Sequence, residues 1–265
     1  MGFVFNNKLK SSFHTDQQKT VFGIFIGFPS TQLVEMAGYN GFDVVVIDNE
    51  HGMLSAENIE HMVIASENAG VTPLVRVGSS NPSEILKVMD RGAHGVHVPQ
   101  VDEKEQAEKI VEAVKYPPRG TRGAAFSMRA AKYGTVPIHE YLEHANQQSL
   151  VCIHIESRKS MENLEEILSV EGIDMVYIGP TDLSVSLGFG GRIDHQEVLK
   201  SIDRIYETAK KYGVRVGIHS KDKAGAKSRK DWGADYVGLT VTSLINQSFK
   251  DYIKDAKSEK ALESY

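Results

Sequence analysis

A single cysteine in 265 residues, Cys152, leaves no partner for an intrachain disulfide. Its place in a run of β-prone apolar residues marks it as inert core and fits a reducing, cytoplasmic setting. Long hydrophobic runs are missing as well: none approaches the roughly 18 residues that a membrane-spanning helix needs. The opening stretch MGFVFNNKLKSSFHTDQQK has no long apolar segment followed by a small-residue cleavage site, so secretion is not expected. Asn6 stands where a myristoylation signal behind Met1-Gly2 wants Ser or Thr. There is no excess of positive charge. Thirty Lys and Arg against 35 Asp and Glu give a formal charge of −5, which offers nucleic acid no general attraction. The one basic stretch, Lys221 to Lys230, reads as the solvated face of a helix. No GxGxxG follows the first apolar run, which removes the dinucleotide fingerprint of a doubly wound sheet, and no linker divides the chain.

What remains is an ordinary globular composition, 41% hydrophobic and 25% charged, long enough for a sizeable core. Apolar, β-prone runs recur along it: Val21 to Gly27, Phe42 to Ile47, Thr72 to Arg76, Gly95 to Val98, Leu150 to Glu156, Ile173 to Gly179, Val214 to Ile218 and Asp235 to Leu239. Helical stretches alternate with them: Thr31 to Tyr39, one opened by Ser55, one opened by Asn81-Pro82, Glu103 to Lys115, Ile138 to Asn146, Ser160 to Leu168, Gln196 to Tyr212, Ala224 to Trp232 and Leu244 to Ala256. Eight strand-then-helix units predict a single (β/α)8 barrel domain spanning 1–265, with a short extension at 1–20 and a polar tail at 257–265. The long segment from Tyr116 to Ser149 interrupts the spacing, and such a connection closes over a site or an interface.

In a barrel, function gathers at the carboxyl ends of the strands. Asp48, Glu50 and His51 follow the second strand, Arg76 ends the third, Glu156 ends the fifth and Asp182 follows the sixth. Two carboxylates brought together from neighbouring strand ends repel unless a cation lies between them, so Glu156 and Asp182 are read as ligands of one divalent ion, Mg2+, Mn2+ or Co2+. Such an ion takes a 2-oxo acid through carboxylate and ketone oxygens. Arg76 would bind the same anion or neutralise charge developing on the ketone oxygen, and His51, oriented by Asp48, is the natural general base. His94 and His97 fall on opposite faces of one strand, so both are read as structural. Gly188, Gly190 and Gly191 make a glycine-rich loop without a phosphate-binding fingerprint. Trp232 and Tyr236 are read as packing.

The segments DNEHG (Asp48 to Gly52), LVRV around Arg76, YPPRGTRG (Tyr116 to Gly123), IHIES around Glu156, VEGIDMVYIGPTDLS (Val170 to Ser184) and LGFGG (Leu187 to Gly191) together resemble the HpcH/HpaI aldolases, in order from about Val21 to Thr242. Those are class II, metal-dependent pyruvate aldolases of the phosphoenolpyruvate/pyruvate barrel superfamily. The resemblance implies a cytoplasmic lyase that reversibly cleaves a 4-hydroxy-2-oxo acid to pyruvate and an aldehyde. It implies Glu156 and Asp182 as metal ligands, Arg76 on the oxo acid, His51 as the base beside Asp48, and the backbone around Pro180, Thr181 and Asp182 as the carboxylate cradle. It further implies a homo-oligomer, a hexamer with the last helix exchanged between subunits. The sequence departs from the pattern at His154, where the family has a glutamine, and at Thr181, where alanine is frequent. His154 lies two residues before Glu156 and shares its face, so it is expected to hydrogen-bond the 2-oxo group or add a metal ligand. Oxaloacetate decarboxylation, or other enolate chemistry on a 2-oxo diacid, remains an alternative at the same site, as does a non-catalytic oxo-acid binder.

Overall fold

The computed structural model describes residues 5–13 and 19–257. Eight parallel strands close on themselves in sequence order: β1 (Val21–Ile26), β2 (Val44–Asp48), β3 (Thr72–Arg76), β4 (Gly95–Val98), β5 (Leu150–Ile155), β6 (Met175–Ile178), β7 (Arg215–His219) and β8 (Tyr236–Thr240). Closure comes from β1, which pairs with β2 on one side and β8 on the other. This is the (β/α)8 barrel that the alternating runs predict. Strand bounds fall within a residue or two of the sequence reading, the usual uncertainty at element ends.

Period-two alternation sorts each strand into two apolar sets. Outward residues such as Ile24, Val45, Val75, Val96, Val151, Ile153, Val176 and Val216 join the main core between sheet and helices. Inward residues such as Phe25, Val46, Leu74, Cys152, Met175, Tyr177 and Tyr236 fill the barrel itself. Tyr177 and Tyr236 need room, and small partners provide it: a side chain at Gly23, Gly217 or Gly238 would collide with one of the two rings. The lower end is stoppered by the helix Lys8–Ser12, capped by the Asn7 side chain, which buries Leu9 and Phe13 with the inward set. Residues 5–13 of the stretch read as an extension are thus folded against the barrel. Cys152 is fully buried, and burial pushes its thiol well above the ordinary range, as an inert core cysteine requires.

Local departures have local causes. The helix expected from Ser160 to Leu168 is two short ones, Arg158–Glu162 and Leu164–Leu168, broken at Asn163. A further helix, Pro180–Ser186, follows β6, where the sequence pattern predicts none. Gly179-Pro180 suggests a turn, but proline at the first helical position has no N–H to lose and carries a suitable φ. The last helix runs Val241–Lys257, three residues longer at its start than expected. The polar tail read at 257–265 lies outside the described residues beyond Lys257. Among the described residues no helix is long and apolar enough to cross a membrane.

Candidate active site

Inward parity carries polar side chains to the upper rim: Asp48, Arg76, His154, Tyr177, His219 and Thr240 all continue the inward set of their strands. At that rim Arg76, His154, Glu156, Asp182 and His219 line one cavity of about 210 Å³, which His51 also borders. The sequence-derived candidates therefore share one place.

Glu156 and Asp182 approach each other over Gly179. An ideal Cβ at Gly179 would lie 2.9 Å from Glu156 Oε2 and 3.2 Å from Asp182 Oδ2, so the two oxygens are separated by no more than the sum of these distances. Any side chain at 179 would fill that gap. Burial pushes the Glu156 carboxyl up, but His154, the Gln100 N–H (2.9 Å to Oε1) and more distant Arg76 outweigh it and hold Glu156 below the ordinary carboxylate range. Gln100 makes that contact from a left-handed conformation, φ 54°, uncommon for a residue with a side chain. Asp182 has no hydrogen-bond or ion-pair partner among the described residues. Two hard carboxylate oxygens facing a space kept clear by a missing Cβ are a donor set that a divalent cation of the Mg2+ or Mn2+ kind fits, with its other positions left to water and substrate oxygens. The helix Pro180–Ser186 beside them has no side-chain cap, so the N–H groups of Thr181 and Asp182 have no partner within the helix.

Arg76 is held from two sides. Its Nε and Nη2 donate to Asp48 Oδ1 and Oδ2 at 2.9 and 2.6 Å, a bidentate pair, and Nη1 lies 2.9 Å from Glu50 Oε2. Burial works to raise the Asp48 pKa, yet the Arg76 hydrogen bonds and charge, helped by the backbone N–H groups of His51 and Glu50, leave it lowered. Glu50 is raised: burial outweighs the attraction of Arg76 and His51. This corrects the expected role of Asp48. Its carboxylate meets His51 only at the backbone N–H, 3.4 Å away, while the His51 imidazole is 68% exposed and lies 3.8 Å from Glu50 Oε2. A guanidinium with its fork aligned to the carboxylate is the stronger competitor for Asp48.

His154 also differs from expectation. Its Nδ1 lies 3.3 Å from Glu156 Oε2 and its Nε2 lies 3.1 Å from His97 Nδ1, so both ring nitrogens already have partners. An ionised carboxylate can only accept, which puts a hydrogen on His154 Nδ1. In this arrangement the ring presents no free nitrogen to a substrate and instead braces Glu156. The reason is His97, inward on the adjacent strand β4 and fully buried, whose pKa burial holds well below the ordinary value. His97, Cys152 and His154 are the one group of three potential ligands within 4.8 Å of one another among the described residues. His94 points away and bonds Glu67 at 3.1 Å, as a structural histidine should.

Sequence reasoning missed Tyr177, His219, Thr240 and Phe25 as cavity walls. Each sits at an inward position near a strand's carboxyl end, a signal that the strand assignments already contained.

Comparison with known proteins gives a consistent picture. The profile of the HpcH/HpaI aldolase/citrate lyase family matches residues 21–246. A 2-keto-3-deoxy-L-rhamnonate aldolase of Klebsiella pneumoniae subsp. pneumoniae is 36% identical, over 92% of this chain and 91% of that protein. A 5-keto-4-deoxy-D-glucarate aldolase of Citrobacter koseri is 32% identical, over 96% of this chain and 97% of that protein. Among solved structures, an HpcH/HpaI aldolase/citrate lyase family protein from Burkholderia cenocepacia superposes with a TM-score of 0.90 at 28% identity, covering 96% of this chain and all of the other.

Proposed function

The chain belongs to the HpcH/HpaI aldolase/citrate lyase family, and from that premise we propose that it is a divalent-metal-dependent aldolase cleaving a sugar-derived 4-hydroxy-2-oxo acid to pyruvate and an aldehyde. The observation that carries the reading is the convergence of Glu156 and Asp182 over Gly179 in the cavity that Arg76 also lines. Both relatives are named as aldolases of deoxy-oxo sugar acids, which supports the substrate class.

Glu156 and Asp182 would hold the ion, with His154 and the Gln100 N–H fixing the Glu156 carboxylate. When bound, the ion supplies Lewis acidity toward the 2-oxo oxygen. Arg76, immobilised by Asp48 and Glu50, contributes fixed positive charge for the oxygen that becomes negative as the C3–C4 bond breaks. The N–H groups of Thr181 and Asp182, without partners inside their helix, donate to the substrate carboxylate. His51, exposed at the cavity edge, takes the 4-hydroxyl proton as that oxygen becomes the aldehyde carbonyl. The electron pair of the broken bond passes through C3 to the 2-oxo oxygen, and a proton returned to C3 completes the pyruvate methyl group.

An oligomer is part of the same proposal. The helix Val241–Lys257 buries only Val241 while leaving Leu244, Phe249, Tyr252 and Ile253 between 40% and 73% exposed, an apolar surface that calls for a cover. The test of the activity is a coupled assay of pyruvate release from 3-deoxy-2-oxo sugar acids with Mg2+, Mn2+ or Co2+. Activity is expected to vanish with a chelator and in E156A and D182A. Full activity in a metal-free sample refutes the reading.

A further inference from the structure

The cavity has two unlike arcs. From β2 to β6 it carries its charged groups, Arg76 backed by Asp48 and Glu50 and then Glu156 and Asp182, alongside His154 and Tyr177. From β7 through β8 to β1 the wall is His219, Thr240 and Phe25, none of which carries a full charge beside the cavity. Arg76 is the only Lys or Arg lining the cavity among the described residues, and its three nitrogens are committed to Asp48 and Glu50. On the reading above, the oxo-acid half of the substrate uses the charged arc and the 4-hydroxyl meets His51 after β2. The carbons beyond C4 then fall against the neighbouring strands β1, β8 and β7.

His219 is prepared for that contact. Tyr177 Oη lies 3.1 Å from His219 Nδ1 and has no other hydrogen-bond partner among the described residues. Tyr177 is fully buried and burial pushes its phenol well above the ordinary range, so it keeps its hydrogen and is satisfied by donating to Nδ1. The imidazole's own hydrogen then sits on Nε2. That nitrogen has no protein partner among the described residues, yet it is not an enclosed orphan: it opens to the cavity that the ring lines. Burial, with Arg76 and His154 adding repulsion, brings the His219 pKa to about 4, so the ring is neutral near pH 7. Thr240 adds a hydroxyl whose contact within the chain is long, 3.5 Å to Ser243 Oγ. A substrate hydroxyl on this arc would be satisfied, whereas a carboxylate would lose water and gain no cation.

We propose that His219 is a specificity residue: its Nε2–H binds a hydroxyl in the aldehyde half of the substrate, so the enzyme favours 4-hydroxy-2-oxo acids with an uncharged, hydroxylated far end over those ending in a second carboxylate. This rests on the aldolase reading of the charged arc and extends it to the distal half.

The experiment uses the full chain with Mn2+ and three substrates of equal reactive ends: a 3-deoxy-2-oxo sugar acid with a neutral hydroxylated end, its counterpart ending in a carboxylate, and 4-hydroxy-2-oxopentanoate, which lacks distal hydroxyls. Exchange of pyruvate methyl protons with solvent reads the charged arc alone. Wild type is expected to prefer the neutral hydroxylated acid by at least about tenfold in kcat/KM over the carboxylate-ended one. H219L is expected to lose about 10- to 100-fold on the hydroxylated acid, mainly through KM, the scale of one unmade hydrogen bond. In the same variant, the losses in proton exchange and in cleavage of 4-hydroxy-2-oxopentanoate should be at least about threefold smaller than the loss on the hydroxylated acid, because neither probe carries a distal hydroxyl. H219Q, which keeps an amide for Tyr177 and a donor toward the cavity, should recover part of the loss. Normal exchange with undiminished cleavage of the hydroxylated acid in H219L, or a wild-type preference for the carboxylate-ended acid, overturns the proposal alone. Absence of proton exchange in wild type overturns the aldolase reading and this proposal with it.

Discussion

Replacing Asp48 with asparagine separates two roles for that residue. In the structure its carboxylate closes a bidentate pair with Arg76 inside the barrel mouth, both side chains largely buried. Breaking a buried pair by removing one partner costs about 3–5 kcal/mol, because the other charge is left without compensation. Here Glu50 still holds Nη1 and the asparagine carbonyl can keep one acceptor in place, so a loss of roughly 2–3 kcal/mol is expected. For a chain of this size that is a fall in Tm of roughly 5–10 °C. A double-mutant cycle with R76M, read by urea denaturation, should give a coupling of about 2 kcal/mol. The same cycle with H51A should give under about 0.5 kcal/mol, because the two side chains do not pair. D48N should also slow pyruvate proton exchange by misplacing Arg76, while H51A should leave stability within about 0.5 kcal/mol and impair only cleavage of the 4-hydroxy acid. Strong coupling of Asp48 to His51, with none to Arg76, would refute the clamp and restore the orienting role first read from the sequence.

Further outcomes follow from other parts of the molecule. Lys115 donates to the Asn146 and Ser149 carbonyls in a buried position, and burial, aided by Lys10, lowers its pKa from 10.5 to about 7. Between those values the unfolded chain binds the extra proton, so this group makes stability rise with pH by up to about 1.4 kcal/mol per unit in that window. K115M should flatten that slope in denaturation curves taken from pH 7 to 10, and an unchanged slope would place Lys115 in water. G179A, whose Cβ would sit 2.9 Å from Glu156 Oε2, should weaken Mn2+ binding measured by calorimetry at least about tenfold; unchanged affinity would mean that the acids do not share an ion. Tyr236 Oη is buried without a partner among the described residues, so Y236F should stabilise the fold by about 1 kcal/mol in the same denaturation assay.

The barrel was legible because its signal is repetitive. Eight apolar runs alternate with helices, and an error at one boundary leaves the topology intact. The grouping of Arg76, Glu156 and Asp182 at one rim follows from that topology alone, since all three stand at carboxyl ends of strands. Pairings within the group were less legible, because they depend on competition between strands. Asp48 is three residues from His51 in sequence, but β2 and β3 are in register with Asp48 opposite Arg76, and the guanidinium takes the carboxylate. His154 was readable as inward by counting from Glu156, but its bond to His97 depends on the register of β4 against β5. The helix Pro180–Ser186 was hidden behind a Gly-Pro pair that signals a turn as readily as a helix start.

The charge balance at the rim explains why the acids of β5 and β6 define the site. Asp48, Glu50, Glu156 and Asp182 are four carboxylates and Arg76 is one guanidinium. The guanidinium is spent on Asp48 and Glu50, and burial still leaves Glu50 raised. Glu156 and Asp182 are left facing each other over a residue with no side chain, with no lysine or arginine of their own among the described residues. For stability alone this is an unfavourable arrangement: a larger residue at 179 and a neutral one at 156 would fill space and remove repulsion. A histidine and a strained Gln100 N–H are nevertheless committed to keeping Glu156 ionised. Local rules broken together at one point, with neighbours arranged to sustain the break, mark a place selected for what it binds. Two carboxylate groups without a cation of the protein's own are suited to a cation supplied from solution.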